Sequence, residues 1–271
     1  FMSEIDIPRL EPSIQYQDRL FLIGSCFTEH IGNALAETKF STLQNPNGIL
    51  FDPASIWRSL EAYMQQRLYT VSDFFLQNEV WHSWDHHSRF SKTDPDAAVQ
   101  AINQSQVRAH EFLRQSSWLI ITLGSSFVYR LTGAGAGTPG RLVANCHRAP
   151  ANWFEKELLQ VNEMVERFSA CFGALHQFNP RLKVLLTISP VRHLREGVVN
   201  NNRSKARLIE VVHQLVALHP PVHYFPAYEL VVDILRDYRF YDIDFAHPNY
   251  QATEFVLEKF VESCINPAAV T

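Results

Sequence analysis

The sequence lacks several features that would assign a class at once. Its four cysteines, Cys26, Cys146, Cys171 and Cys264, lie far apart without CxxC spacing, which argues for reduced thiols and against a disulfide framework or a zinc knuckle. No window approaches ~18 uninterrupted apolar residues, so a membrane-spanning helix is not expected. Lysine and arginine, 24 residues against 28 acidic ones for a net charge of −4, are scattered and form no basic stripe. Nucleic acid is therefore not an expected partner. Neither GK[ST] nor a GxGxxG run opening a helix occurs, which excludes the common phosphate loops. The start, Phe1-Met2-Ser3-Glu4-Ile5-Asp6, is acidic where a secretion signal is basic and then apolar. It points to a cytoplasmic protein without membrane association.

What is present is a chain of 271 residues, 46% hydrophobic, with ample material for a buried core. Five short apolar runs bounded by turn residues read as buried strands: Leu20 to Ile23, Phe40 to Leu43, Trp118 to Leu123, Lys183 to Ile188 and Val222 to Phe225. Helical patterns lie between and after them: Thr28 to Thr38, Pro53 to Gln66, Asp96 to Gln115, Trp153 to Phe178, Ser204 to Leu218, Ala227 to Arg236 and Pro248 to Ser263. Strands alternating with helices predict one α/β domain over residues 1–271, with a mostly parallel sheet covered on both faces. The glycine-rich piece Gly133-Ala134-Gly135-Ala136-Gly137, between Phe127 to Leu131 and Arg141 to Val143, reads as the tip of a hairpin inserted after the third strand.

Ligands of open parallel sheets bind beyond the carboxyl ends of the strands, which directs attention to the segments there. After the first strand, Gly24 permits a tight turn and Ser25 stands at the start of a helix. Ser25 fits two roles, an N-cap or a nucleophile facing the positive end of the helix. Far downstream, "YDIDFAHPNY" puts Asp244 three residues before His247, with Asp242 as a competing carboxylate and Pro248 in place for the first helical position. A carboxylate bonded to an imidazole fixes its tautomer, and that pair is what a weak serine nucleophile needs beside it.

Gly24-Ser25-Cys26-Phe27, together with Asp244-x-x-His247-Pro248, resembles the SGNH (GDSL-like) hydrolases and above all their GSCFA branch, with Thr28 where the branch name has Ala. Further stretches carry the same resemblance: Asn45 to Leu50, Thr122 to Tyr129, Asn145-Cys146-His147-Arg148-Ala149-Pro150, Ser189 to His193, and Arg236 to Tyr241. The resemblance covers roughly residues 8 to 262 and implies a flavodoxin-like three-layer α/β/α fold with five mostly parallel strands. It implies Ser25 as nucleophile, His247 as base and Asp244 as the acid that orients it, in two-step acyl transfer on a small ester such as an O-acylated carbohydrate. It also implies oxyanion donors from the Ser25 N–H and, after the second strand, Gly48. The asparagine expected after the third strand is replaced by Gly124-Ser125-Ser126, leaving Asn145 or the Ser126 hydroxyl as substitutes. That departure supports two alternatives, a weakly active ligand-binding module or, from shared acyl-enzyme chemistry, an acyltransferase.

Other stretches weigh less. The run Trp81-His82-Ser83-Trp84-Asp85-His86-His87 holds enough donors to suggest a metal, with His82, Trp84 and His86 on one face if extended. Its interleaved aromatics favour a cleft wall instead, with His87 as a substrate contact and ordinary packing still open; no metal is expected. Arg192, His193, Arg195 and Asn200-Asn201-Asn202-Arg203 follow the fourth strand, where Arg192 and His193 suit a polar or anionic substrate and Asn202 or Ser204 could cap the next helix. His147 is a further substrate contact, since adjacent side chains point apart and argue against a Cys146–His147 pair. Cys26 is expected to pack inward. The apolar spacing of Ser204 to Leu218 reads as core, so no cofactor is implied.

Overall fold

The computed structural model describes residues 5–269, so the acidic start, Phe1 to Glu4, lies outside it. Along the chain come β1 (Arg19–Gly24), α1 (Cys26–Glu37), β2 (Ser41–Gln44), α2 (Pro53–Met64), β3 (Phe74–Gln77), β4 (Val80–Ser83), α3 (Pro95–Arg114), β5 (Trp118–Leu123), β6 (Phe127–Leu131), β7 (Leu142–Val143), β8 (Phe154–Leu158), α4 (Val161–Phe178), β9 (Lys183–Ile188), α5 (Gly197–Leu218), β10 (Val222–Phe225), the short α6 (Ala227–Glu229) and α7 (Tyr250–Cys264). The chain is an α/β protein with a flavodoxin-like three-layer arrangement. Five parallel strands form the central sheet in the order β10-β9-β5-β1-β2. The order reverses between β1 and β5, so the switch point, where such sheets leave a crevice, lies between the ends of these two strands.

Alternation within the strands divides two cores. Phe21, Ile23, Leu119, Ile121 and Leu186 face α2 to α5 and join Leu60, Leu113, Phe168 and Val211. Leu20, Leu22, Trp118, Ile120 and Leu185 face the other way and meet Phe27 and Ile31 of α1 and Val256 and Phe260 of α7. Strands apolar on both faces are what a sheet covered by helices requires.

The inserted hairpin forms, with Tyr129 opposite Val143 and Arg130 opposite Leu142. Three expectations need correction. The stretch from Trp153 does not run straight into helix: Phe154–Leu158 pairs antiparallel with β6 as β8, because Phe-Glu-Lys-Glu-Leu alternates in the two-residue period of a strand, and α4 starts only at Val161. Helix α5 begins at Gly197, so Asn202 and Ser204 lie inside it and cap nothing. Pro248 is not the first residue of α7; Asn249 is the cap, its side chain accepting the Ala252 N–H at 3.1 Å.

Candidate active site

Gly24 ends β1 with φ +150°, and a Cβ there would lie 2.3 Å from the Thr122 carbonyl oxygen of β5. Only glycine allows this approach, which sets the following residue at the switch point. Its N–H donates to Asn45 Oδ1 at 2.9 Å and its carbonyl accepts the Leu50 N–H at 3.0 Å. The turn is thereby fixed before the helix begins.

Ser25 occupies the N-cap of α1 in extended conformation, yet its side chain makes no capping bond. Its residue is 3% exposed, and Oγ has no hydrogen-bond partner in the structure. A cap serine normally satisfies a helix N–H with this oxygen. Here the hydroxyl is left over, and it lines a cleft of about 660 Å³ shared with Cys26, Phe51, Ser125, Phe127, Tyr129, Arg192, His193, Asp244 and His247. Cys26 therefore does not pack inward as expected: N1 of the helix turns its side chain to the cleft rim, where burial pushes its thiol pKa up against the pull of neighbouring backbone N–H groups.

On the opposite wall, a turn with Phe245 at φ +55° brings Asp244 back onto His247. Asp244 Oδ2 lies 2.6 Å from His247 Nδ1, while Oδ1 accepts the N–H groups of Ala246 and His247 at 2.9 and 3.0 Å. These bonds, led by the His247 N–H, hold the Asp244 carboxyl down to about 2. Asp242 contributes its backbone N–H to the His247 carbonyl instead, at 2.8 Å. With Nδ1 bonded to a carboxylate, the Nδ1–H tautomer leaves Nε2 as an acceptor. An unbonded hydroxyl and a carboxylate-oriented imidazole thus face one cleft.

The expected oxyanion donors are placed less favourably. The Ser25 N–H donates to the Thr122 carbonyl at 3.1 Å and the Gly48 N–H to the Asn45 carbonyl at 2.8 Å. The Ser126 hydroxyl is buried against Ser204, donating to its carbonyl at 3.1 Å. Asn145 lies outside the residues lining the cleft and spends Oδ1 on the His147 N–H. Ser125, one residue earlier than expected, is the member of its turn that lines the cleft.

Of the other sequence candidates, Arg192 and His193 line the cleft. His193 packs its ring 5.2 Å from that of Phe51, and burial drives its pKa down to about 3, so it is neutral. His87 and His147 do not line it. His87 covers Gly48, where φ is +83° and an added Cβ would lie 2.1 Å from the His87 Cβ, which excludes a side chain, and His147 bonds the Ser83 carbonyl through Nε2 at 2.7 Å. The run Trp81 to His87 does not form a cleft wall. β4 ends at Ser83, so Trp84 and His86 leave the shared face and turn inward, Trp84 onto Phe75 and His86 onto Ser83. No cluster of three or more metal-ligating side chains occurs among the described residues.

Lys205 was not among the sequence candidates. It is 1% exposed, and Nζ donates to the Gly124 and Ser189 carbonyls at 2.6 Å each, tying together the ends of β5 and β9 beneath the cleft. Burial lowers its pKa to about 7. The signal was there: Lys205 shares the buried stripe of α5 with Leu208, Val212 and Leu215, a lysine on an apolar helix face.

Residues 19–260 match the GSCFA family. Comparison with curated proteins gives no match. Among solved structures, the chain is similar to a carbohydrate esterase family 3 protein from Talaromyces cellulolyticus, at 10% identity over 90% of this chain and 94% of that one with a TM-score of 0.41. It is also similar to an acetyl xylan esterase from the rumen bacterium Butyrivibrio proteoclasticus, at 11% identity over 91% of this chain and 63% of that one with a TM-score of 0.44. No helix among the described residues is long and apolar enough to cross a membrane.

Proposed function

The chain belongs to the GSCFA family, and from that premise we propose that it is a serine ester hydrolase in which Ser25, His247 and Asp244 act together. One observation carries the reading: the Ser25 hydroxyl stands at a helix N-cap, buried and without a bond, in the cleft that the Asp244-bonded His247 also lines. A buried unsatisfied hydroxyl costs about 1–3 kcal/mol, and such a cost at a cleft wall is expected where the group is needed for chemistry.

In the first step Ser25 Oγ attacks the ester carbonyl carbon and passes its proton to His247 Nε2. Asp244 stabilises the imidazolium through Nδ1. The tetrahedral intermediate collapses, the C–O bond to the alcohol breaks, and His247 returns the proton to the leaving oxygen. Water, deprotonated by the same imidazole, then attacks the acyl-enzyme and releases the acid and free Ser25. The aromatic side chains of Phe51, Phe127 and Tyr129 along the cleft suit the face of a sugar ring, so an O-acyl group on a carbohydrate is the substrate class favoured.

A fluorophosphonate probe tests this directly. It should label the protein, and Ser25→Ala should abolish the label; labelling that survives the substitution overturns the assignment.

A second reading rests on the oxyanion donors. With the N–H groups of Ser25 and Gly48 both bonded to carbonyls, the cleft offers little to a developing oxyanion unless these turns rearrange on binding. A missing donor costs on the order of a hundredfold or more in rate. A ligand-binding module with slow turnover would hydrolyse p-nitrophenyl acetate no faster than its Ser25→Ala variant while still binding a sugar in calorimetry. Transfer of the acyl group to an alcohol rather than water would appear as a new ester when acceptor alcohols are supplied.

A further inference from the structure

Arginines in this molecule generally spend their N–H groups. Among the described half-buried ones, Arg58 and Arg141 donate to Asp85, Arg130 to Glu157, Arg207 to the carbonyls of Leu158 and Leu159, and Arg19 to Gln115. Arg192 is different. Its guanidinium lies 4.4 Å from the centroid of the Tyr241 ring and 5.4 Å from that of Tyr238, and it meets no carboxylate or carbonyl among the described residues. The two rings hold the side chain by its face. Part of its in-plane N–H edge is turned to the Tyr241 hydroxyl, and none of it meets a carboxylate among the described residues, although Arg192 lines the cleft.

The position relates Arg192 to one end of the reaction. The Arg192 N–H donates to the Ala246 carbonyl at 3.0 Å, so the residue is tied to the strand of chain that carries His247. The leaving oxygen must lie by His247, because the proton it takes comes from there. Arg192 therefore stands on the alcohol side of the scissile bond. Arg195, exposed, and Lys156 line the same cleft and add positive charge, whereas Asp244, which is bonded to His247, supplies the carboxylate found among the described lining residues.

Resting on the esterase reading, we propose that Arg192 makes this cleft selective for esters whose alcohol part carries an anionic group, a carboxylate or a phosphate monoester, as in an acylated sugar acid or sugar phosphate. A half-buried guanidinium paired with a phenol hydroxyl but with no acid among the described residues is under-compensated, and an anionic substrate supplies the charge in a charge-assisted bond.

Three acetyl esters with the same acyl group test it: 4-acetoxybenzoate, 4-acetoxyphenyl phosphate and the neutral methyl 4-acetoxybenzoate, each corrected for its uncatalysed hydrolysis. The expected result is a kcat/KM preference for an anionic ester of about tenfold, as one charge-assisted bond provides. The preference collapses in Arg192→Gln and is partly restored in Arg192→Lys; the better of the two anions names the source. Equal use of all three esters, with hydrolysis lost in Ser25→Ala, overturns the anion site and leaves the esterase standing. Calorimetry of the same ligands on the Ser25→Ala protein reads the site without turnover. Tighter binding of an anionic ligand that weakens in Arg192→Gln upholds the anion site even where wild type hydrolyses none of the esters, in which case the esterase reading falls instead. Equal binding of all three overturns it.

Discussion

Two histidine-bearing regions of this protein look alike in sequence and differ in their chemistry. Around Trp81 to His87, most polar side chains are spent on each other, with Gln106 Oε1 and His147 Nδ1 left without a partner. His86 is 1% exposed, with Nδ1 2.8 Å from Ser83 Oγ and Nε2 3.4 Å from Gln106, which donates on to Asn47. Asp85 accepts from both Arg58 and Arg141. Around Ser25 and His247 less is spent: the serine hydroxyl bonds nothing, the His247–Asp244 pair is half exposed, and Arg192 meets no acid among the described residues. The first region uses polarity to fix the inserted strands to α2 and α3, and the second keeps polarity available. An unbonded hydroxyl that also lines the cleft of a carboxylate-bonded imidazole, more than the presence of histidine or aspartate, marks the site.

The sharpest way to break this contrast is to remove one group from each side. Ser25→Ala should lower ester hydrolysis at least ~10³-fold while raising the urea midpoint, by up to the ~1–3 kcal/mol that the buried, unbonded hydroxyl costs. Asp85→Ala should do the reverse. It leaves two guanidiniums without their acid, a loss of ~3 kcal/mol in urea unfolding, while folded protein keeps its fluorophosphonate labelling. A loss of labelling in folded Asp85→Ala protein would show that the two regions are not separable.

Acid sharpens the comparison further, because both regions hold neutral histidines. Burial depresses His86 and His147 to about 4 and His193 to about 3. Between pH 6 and 4 the unfolded chain takes up protons on these three that the folded protein does not, so stability is present above pH 6.5 and falls as pH drops. Asp52 works against them in the same window, its carboxyl raised to about 6 by burial, so that the folded protein binds its proton first. Three sites against one leave about two protons, ~2.7 kcal/mol per pH unit near pH 5, and His82, His87, His219 and His223, lowered by burial, add in the same direction. Urea unfolding at pH 7, 6 and 5 measures the slope, and a flat profile would mean that these imidazoles are solvated and free to charge.

Much of this was legible in the sequence, and the reasons are physical. The inner strands β1, β5 and β9 are buried on both faces, so each appears as a nearly continuous apolar run, while the edge strands β2 and β10 are more polar; the bounds of all five fall within a residue or so of the structure. Strand β8 was not, because a half-exposed strand running into an amphipathic helix gives mixed periodicity across Phe154 to Met164. In the site, side-chain candidates could be read from residue types at strand ends: Ser25, Asp244, His247 and Arg192 all line one cleft. The oxyanion donors could not, since where a backbone N–H points depends on turns such as Asn45 to Gly48. Nor could the inward turn of His86, which depends on β4 stopping at Ser83.

Lys205 stands between the two categories and gives the smallest predicted effect. It lies under the site, as Ser25 does, yet it is spent like the scaffold, with Nζ bonded to the carbonyls that end β5 and turn away from β9. Burial among these strand ends lowers its pKa to about 7, with the nearby Cys26 sulfur opposing the shift. Between pH 7 and about 9 the unfolded chain therefore holds a proton that the folded protein has released, so stability rises with pH by up to one proton's worth, ~1.4 kcal/mol per unit. Lys205→Met removes that slope and leaves the Gly124 and Ser189 carbonyls without a donor. The difference between wild type and variant in urea unfolding across pH 7 to 9 isolates the lysine, because the tyrosines and other thiols titrate alike in both. Parallel profiles would show that Lys205 stays charged throughout, and the floor of the cleft would then hold a permanent positive charge beneath Cys26.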